Sequence, residues 1–210
     1  MTASLTATEP IAPEERPSYS VPQYPALFTW TVTMYHRAIE LGLLDENDRV
    51  ELIAGQIINK MPIGVRHADC VGELTEYFVN KLAGKGCKYH PQNPLRIADH
   101  SEPEPDFLVL DKAKYKSHEG KPIPDDVHLL FEVSDSTLAF DRGDKAILYA
   151  QAGIKEYWII NLQSDSLELH TQPHREAGVY NSIQRYPATA SFESPFCGTV
   201  VVADLLPENE

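Results

Sequence analysis

The hydrophobic pattern is clearest from Val65 onward, where His67, Val71, Leu74, Phe78 and Leu82 fall at i, i+4, i+7, i+11 and i+15. That spacing is one stripe of an amphipathic helix, and Gly84 and Gly86 mark where it stops. The stripe puts His67 on the inward face, near the start of the helix. A shorter helix is predicted from Thr31, a good N-cap, to Leu41, with Gly42 suited to the left-handed residue that ends a helix. A third is predicted over residues 141–152, with Lys145, Tyr149 and Ala152 on one face and Gly153 capping its C-terminus.

Between these helices the pattern is that of strands. Val50–Ile53 and residues 56–61 flank Ala54 and Gly55 and predict a hairpin, with Glu51 inside its first strand. Further strands are predicted at 87–90, 94–98, 106–110 and Val127–Ser134. The last two are joined by a polar segment carrying Lys112, Lys114, Lys116 and Lys121 among Gly120, Pro122 and Pro124. That segment reads as a loop, either a solvated one or a phosphate-contacting patch. Glu156–Asn161 and residues 167–171 make a second hairpin, and GTVVVADLL near the C-terminus adds at least one more strand. Such alternation implies an α/β (α+β) fold.

Composition narrows the reading. With 210 residues, 42% of them hydrophobic, the chain is long enough for one domain with a real core. Residues 1–25 carry five prolines among small and acidic residues and predict a flexible tail, leaving 26–210 as the folded domain. No apolar run approaches the roughly 20 residues that span a bilayer. The N-terminus lacks the basic-then-apolar order of a secretory signal, so a soluble, cytoplasmic protein is expected. Cys70, Cys87 and Cys197 are scattered, which suggests reduced thiols rather than disulfides or a zinc site. The net charge of −13 argues against coating nucleic acid by bulk electrostatics, although not against local contact.

Candidate chemistry lies in carboxylates that do not suit their surroundings. Glu132 sits near the end of VHLLFEV, the most apolar strand candidate, where an ionised carboxylate costs several kcal/mol unless paired or metal-bound. Asp106 opens another apolar run, in SEPEPDFLVL. If the two strands are antiparallel, Asp106 and Glu132 meet at one edge of the sheet, within reach of Lys145. Two carboxylates and an ammonium at a sheet edge suit Mg²⁺ or Mn²⁺ and phosphodiester hydrolysis. Taken singly, each residue has a blander reading. Asp106 reads more often as a turn or cap residue, Lys145 as a solvated helix residue and His67 as a core histidine bonded to backbone, while Glu51 also fits a cross-strand ion pair.

The order Pro105-Asp106, then Glu132-Val133-Ser134, is similar to the PD-(D/E)XK nuclease signature, with Ser134 standing where the signature has lysine. The longer series, ELIAG, His67, PEPDFLVL, FEVSDST and DRGDKAILYAQAGIKEYWIIN, resembles the Uma-type family of restriction-endonuclease-like proteins over residues 28–206. The resemblance implies a restriction-endonuclease-like fold, a mixed β-sheet flanked by helices, and metal ligation by Asp106 and Glu132. It further implies a catalytic lysine relocated to the helix at Lys145, support from Glu51 and His67, and the Val133 carbonyl completing the metal shell. It also implies Mg²⁺ or Mn²⁺ as cofactor, DNA as substrate and a homodimer. Glu104 departs from the basic residue usual before Pro-Asp, and with Glu102 it fits a DNA-cutting enzyme least. The alternative is a catalytically silent binding or regulatory module on the same fold, which the negative charge favours.

Overall fold

The computed structural model describes residues 27–45, 48–118 and 120–207; the tail expected over 1–25 lies outside the described residues. A six-stranded mixed sheet organises the rest. Its strands are β3 (Cys87–Pro91), β4 (Phe107–Asp111), β5 (Val127–Ser134), β6 (Glu156–Asn161), β7 (Ser166–His174) and β8 (Val179–Pro187), in that spatial order. Only β5 and β6 are parallel; every other neighbouring pair is antiparallel.

A parallel pair cannot be joined by a tight turn, so the chain leaves β5 and crosses one face of the sheet before returning. The crossover carries α4 (Leu138–Phe140), a π-helical turn (Asp141–Lys145) and α5 (Ala146–Ala152). The other face is covered by α2 (Val65–Lys81). Strand alternation divides the core accordingly. Phe107, Val109, Leu129, Phe131, Trp158 and Ile160 pack with α2 through Leu74 and Phe78. Leu108, Leu110, Leu130, Tyr157 and Ile159 pack with Tyr149 and Ala150 of α5. Strands buried on both faces read as continuous apolar runs, as VHLLFEV does. By the same alternation Glu132 points to the α5 face.

The hairpin of β1 (Val50–Ile53) and β2 (Gln56–Asn59) stands apart from the large sheet. Its turn needs Gly55 (φ 76°), where an added Cβ would lie 2.7 Å from the Cβ of Thr29. The hairpin is fastened through SEPEPD: Glu102 N–H donates to Leu52 O at 2.7 Å, and Ala54 N–H donates to Ser101 Oγ at 2.9 Å. Helix α1 (Val32–Glu40) starts as predicted, with Thr31 Oγ1 accepting from Met34 N–H at 3.1 Å. It packs Val32 and Tyr35 on Leu52.

Several expected boundaries are corrected. Residues 94–98 form no strand: Leu95 and Ile97 are buried, but their N–H groups bond Pro103 O and Ser101 O in a strapped loop beside the α5-side core. The lysine-rich segment is not all loop. Asp111 Oδ1 accepts from the N–H groups of Ala113 and Lys114 and starts α3 (Lys112–Lys116). The C-terminal region adds three strands, namely β8 and the separate hairpin of β9 (Ser191–Ser194) and β10 (Gly198–Val201). All three cysteines are free, and no helix among the described residues is long and apolar enough to cross a membrane.

Helix α5 ends at Gly153 (φ 81°), where an added Cβ would meet the Arg175 guanidinium at 3.1 Å. Gly153→Ala is expected to cost about 1 kcal/mol, seen as a lowered urea midpoint with an unchanged slope.

Candidate functional site

In β4 and β5, Phe107 pairs with Phe131, so one step outward in this antiparallel register sets Asp106 beside Glu132. Residues so placed have Cβ atoms roughly 5 Å apart. Asp106 itself lies just before the strand, where its Oδ2 accepts from Val133 N–H at 2.8 Å and lies 3.1 Å from His67 Nε2. His67 comes from the first turn of α2, so it belongs to the site's rim rather than to the deep core of that helix. The residue sits at the meeting point of a strand end and a helix start.

On the α5 face, Glu132 Oε1 accepts from Lys145 Nζ at 2.9 Å and from Tyr149 Oη at 2.7 Å. Lys145 Nζ also lies 3.4 Å from Glu51 Oε1, while Glu51 Oε2 accepts from Glu104 N–H at 3.0 Å. The hairpin, the SEPEPD stretch, β5 and the crossover helix therefore converge on one group of side chains. All five side chains expected from the sequence lie here, and Val133 supplies the backbone between Asp106 and Glu132. Tyr149 joins them; its place four residues after Lys145 on the same helix face was visible in the sequence pattern.

The π-helical turn is what carries Asp141 and Lys145 inward together; both are buried. Such turns widen a helix locally and are common at functional sites. This one is secured on three sides. Ser134 Oγ and Thr137 Oγ1 each donate to Asp141 Oδ2 at 2.6 Å, and Tyr157 Oη donates to the Asp141 carbonyl at 2.9 Å. Arg142 in the same turn is clamped by Glu168 of β7, which also binds Arg185 of β8. Nothing in the sequence pattern marked Asp141 or Arg142.

The electrostatics follow from burial and crowding. Burial opposes a charge on Lys145, but Glu132, Glu51, Asp141 and Asp106 surround the ammonium and raise its pKa, so it stays protonated. Burial pushes the Glu132 carboxyl well above its ordinary pKa; Lys145 opposes this, and Asp106, Asp141 and Glu51 reinforce it. Asp106 goes the other way. Burial raises it, but the bond to His67, the nearby charges of His67 and Lys145 and the Val133 N–H outweigh that and hold it low.

The profile of the Uma2 family, described as "Putative restriction endonuclease", matches residues 33–198. The chain belongs to the Uma2 family. Its fold is similar to that of a "putative nuclease belonging to DUF820" from Anabaena variabilis, a crystal structure at 16% identity and a TM-score of 0.61. The likeness covers 79% of this chain and 94% of that one. No curated protein matches the chain. The Uma2 assignment and the mixed sheet agree with the resemblance drawn from PEPDFLVL and EVSDST.

In this Uma2 chain the converging residues line a cleft of about 290 Å³. Among the described residues three cationic side chains line it, Arg49, Lys60 and Lys145, against six carboxylates, those of Glu51, Glu104, Asp106, Glu132, Asp135 and Asp141. That is a formal charge of −3, which repels a phosphate. No group of three or more His, Cys, Asp or Glu side chains among the described residues is arranged to hold a metal ion. Mg²⁺, however, is commonly held by one or two carboxylates, with water completing its shell. Here the hydrogen bonds fall on Oδ2 of Asp106 and Oε1 of Glu132 and leave the other oxygen of each outside them. Two hard oxygen donors in a cleft with excess negative charge fit a small divalent cation.

Proposed function

We propose that this protein is a Mg²⁺- or Mn²⁺-dependent endonuclease that hydrolyses DNA phosphodiester bonds in this cleft. The observation that carries the reading is the antiparallel register placing Asp106 beside Glu132, with the Lys145 ammonium 2.9 Å from Glu132. Asp106, Glu132 and the Val133 carbonyl would hold the ion. When bound, a divalent cation supplies charge neutralisation and Lewis-acid activation of water.

The chain's own residues do the rest. His67 and the Val133 N–H orient Asp106 and keep it ionised. Tyr149 and Lys145 fix the rotamer of Glu132, and Glu51 steadies Lys145 from its other side. A lysine kept protonated is no general base; it stabilises the negative charge that builds on the phosphoryl oxygens. In the reaction, the oxygen of water forms a new P–O bond, the ester P–O bond breaks, and the departing alkoxide takes up the proton that the water gives up. A pair of copies, one for each strand, belongs to the same reading; light scattering would show it as twice 23.5 kDa.

The test is nicking of supercoiled plasmid and cutting of short duplexes in Mg²⁺ or Mn²⁺ and in EDTA. Cleavage is expected only with the metal. Added Mn²⁺ is also expected to raise the melting temperature of the wild type by several degrees, and that of Asp106→Asn by far less. A wild type that cuts nothing at low salt with either ion would overturn the catalytic reading and leave the silent module.

A further inference from the structure

Glu104, the residue that fits a DNA-cutting site least, forms an ion pair with Lys60, Nζ to Oε1 at 2.7 Å. Lys60 follows directly on β2 and Glu104 lies in SEPEPD, so the pair bridges the hairpin and the approach to β4. Their side chains are 21% and 28% exposed, screened enough to hold together yet open to a ligand. Both residues line the cleft. With Arg49, Ile63 and Gln92 they also line a neighbouring groove of about 500 Å³, so they stand on the rim between the two.

Of the three cations in the cleft, Lys145 is buried and bound to Glu132 and Glu51. Lys145 is thus committed to the scissile phosphate, and contact with the flanking phosphates falls to Arg49 and Lys60. Resting on the nuclease reading, we propose that Lys60 is a phosphate-contact residue at the cleft mouth and that Glu104 competes with the backbone for it.

The two partners differ in freedom. Glu104 is tied at its backbone, where its N–H donates to Glu51 Oε2, whereas Lys60 carries a compact ammonium on a flexible four-carbon stem. When a phosphate approaches, Lys60 is the side chain that swings to it. The exchange trades one anion for another and leaves Glu104 unpaired beside a new negative charge. A paired Lys60 thus adds little to DNA affinity, and the pair sets a threshold that weak or misplaced backbones do not cross.

The experiment is fluorescence anisotropy with a labelled 20-base-pair duplex in Ca²⁺ across a salt series, alongside nicking in Mg²⁺. Glu104→Gln keeps the shape and the backbone N–H, and a melting curve checks its fold. It is expected to bind about tenfold tighter, with the slope of log K against log salt steeper by about one. Under Mg²⁺ it lowers KM for DNA and leaves kcat unchanged, the sign of uniform binding. Lys60→Ala is expected to weaken binding about twofold in the wild type and about twentyfold in the Glu104→Gln background. Glu104→Gln binding within twofold of a wild type that does nick DNA would overturn this inference alone. If no variant binds or nicks, the nuclease reading falls and the inference with it.

Discussion

Lys145→Met is expected to fold and to lose DNA cleavage by at least about 10³-fold in Mg²⁺, the scale of removing one preorganised charge from a transition state. Methionine nearly matches the lysine stem, so packing against the α5-side core is kept. What disappears is the one ammonium among Glu51, Asp106, Glu132 and Asp141. Lys145 is the charge that opposes the burial-raised pKa of Glu132, so its loss moves that carboxyl further toward the protonated form. A protonated Glu132 is a poor ligand for a hard cation, so the Mn²⁺-induced rise in melting temperature is expected to shrink too. Lys145→Arg keeps the charge, but its planar fork does not fit a fully enclosed point-charge site, and it is expected to stay well below the wild type. Plasmid nicking compares both variants with the wild type, and a melting curve reads the Mn²⁺ effect. Lys145→Met cutting within tenfold of wild type would remove the lysine from the chemistry.

The second large effect is on stability and lies behind the site. The Glu168 side chain is 1% exposed, and it takes Arg142 from the π-helical turn and Arg185 from β8. Burial raises its pKa, but His170, Arg142 and Arg185 outweigh burial and hold the carboxyl at about 2. Arg142→Ala leaves a buried carboxylate short of its main partner and is expected to cost about 3 kcal/mol. Glu168→Gln frees two partly exposed arginines to return to water and is expected to cost about 1 kcal/mol. Arg185→Ala, whose side chain is 65% exposed, is expected to cost less than either. Urea midpoints at pH 7 give the ordering, and an Arg142→Ala midpoint equal to wild type would refute it.

The same network sets an acid limit. A carboxyl whose folded pKa is depressed stabilises the fold above its ordinary value of 4.5 and loses that contribution as the pH falls toward 2. The difference in stability between wild type and Glu168→Gln should therefore close over that window.

Much of the site was legible because its parts are local. A glutamate near the end of an apolar strand stands out against its own surroundings, whereas the aspartate opening the neighbouring run and the helix lysine gained meaning from their order along the chain. Strand pairing was the one long-range fact required, and the antiparallel alternative was the one that brought Asp106 to Glu132. Helix α2 announced itself through its stripe. By contrast, 94–98 looked like a strand because Leu95 and Ile97 alternate, and alternation reports burial, not hydrogen bonding to a sheet. Strand β8 was hidden because it is an edge strand that buries little of itself; Tyr180 is its buried residue. Glu102 and Glu104 looked misplaced until their partners were known. Glu102 binds His36 and Lys121, which lie far from it in the chain.

Ser134 sits where the nuclease signature carries its lysine, and it has taken other work: its hydroxyl holds Asp141 and so the turn that delivers Lys145. The two lysine positions are for that reason alternatives rather than duplicates. A lysine at that strand position, Ser134→Lys, would cut the tether of the turn that carries Lys145 and bring a second ammonium to a buried place. The serine on the strand and the lysine on the helix are thus one coupled unit, and an exchange at either position is felt at the other.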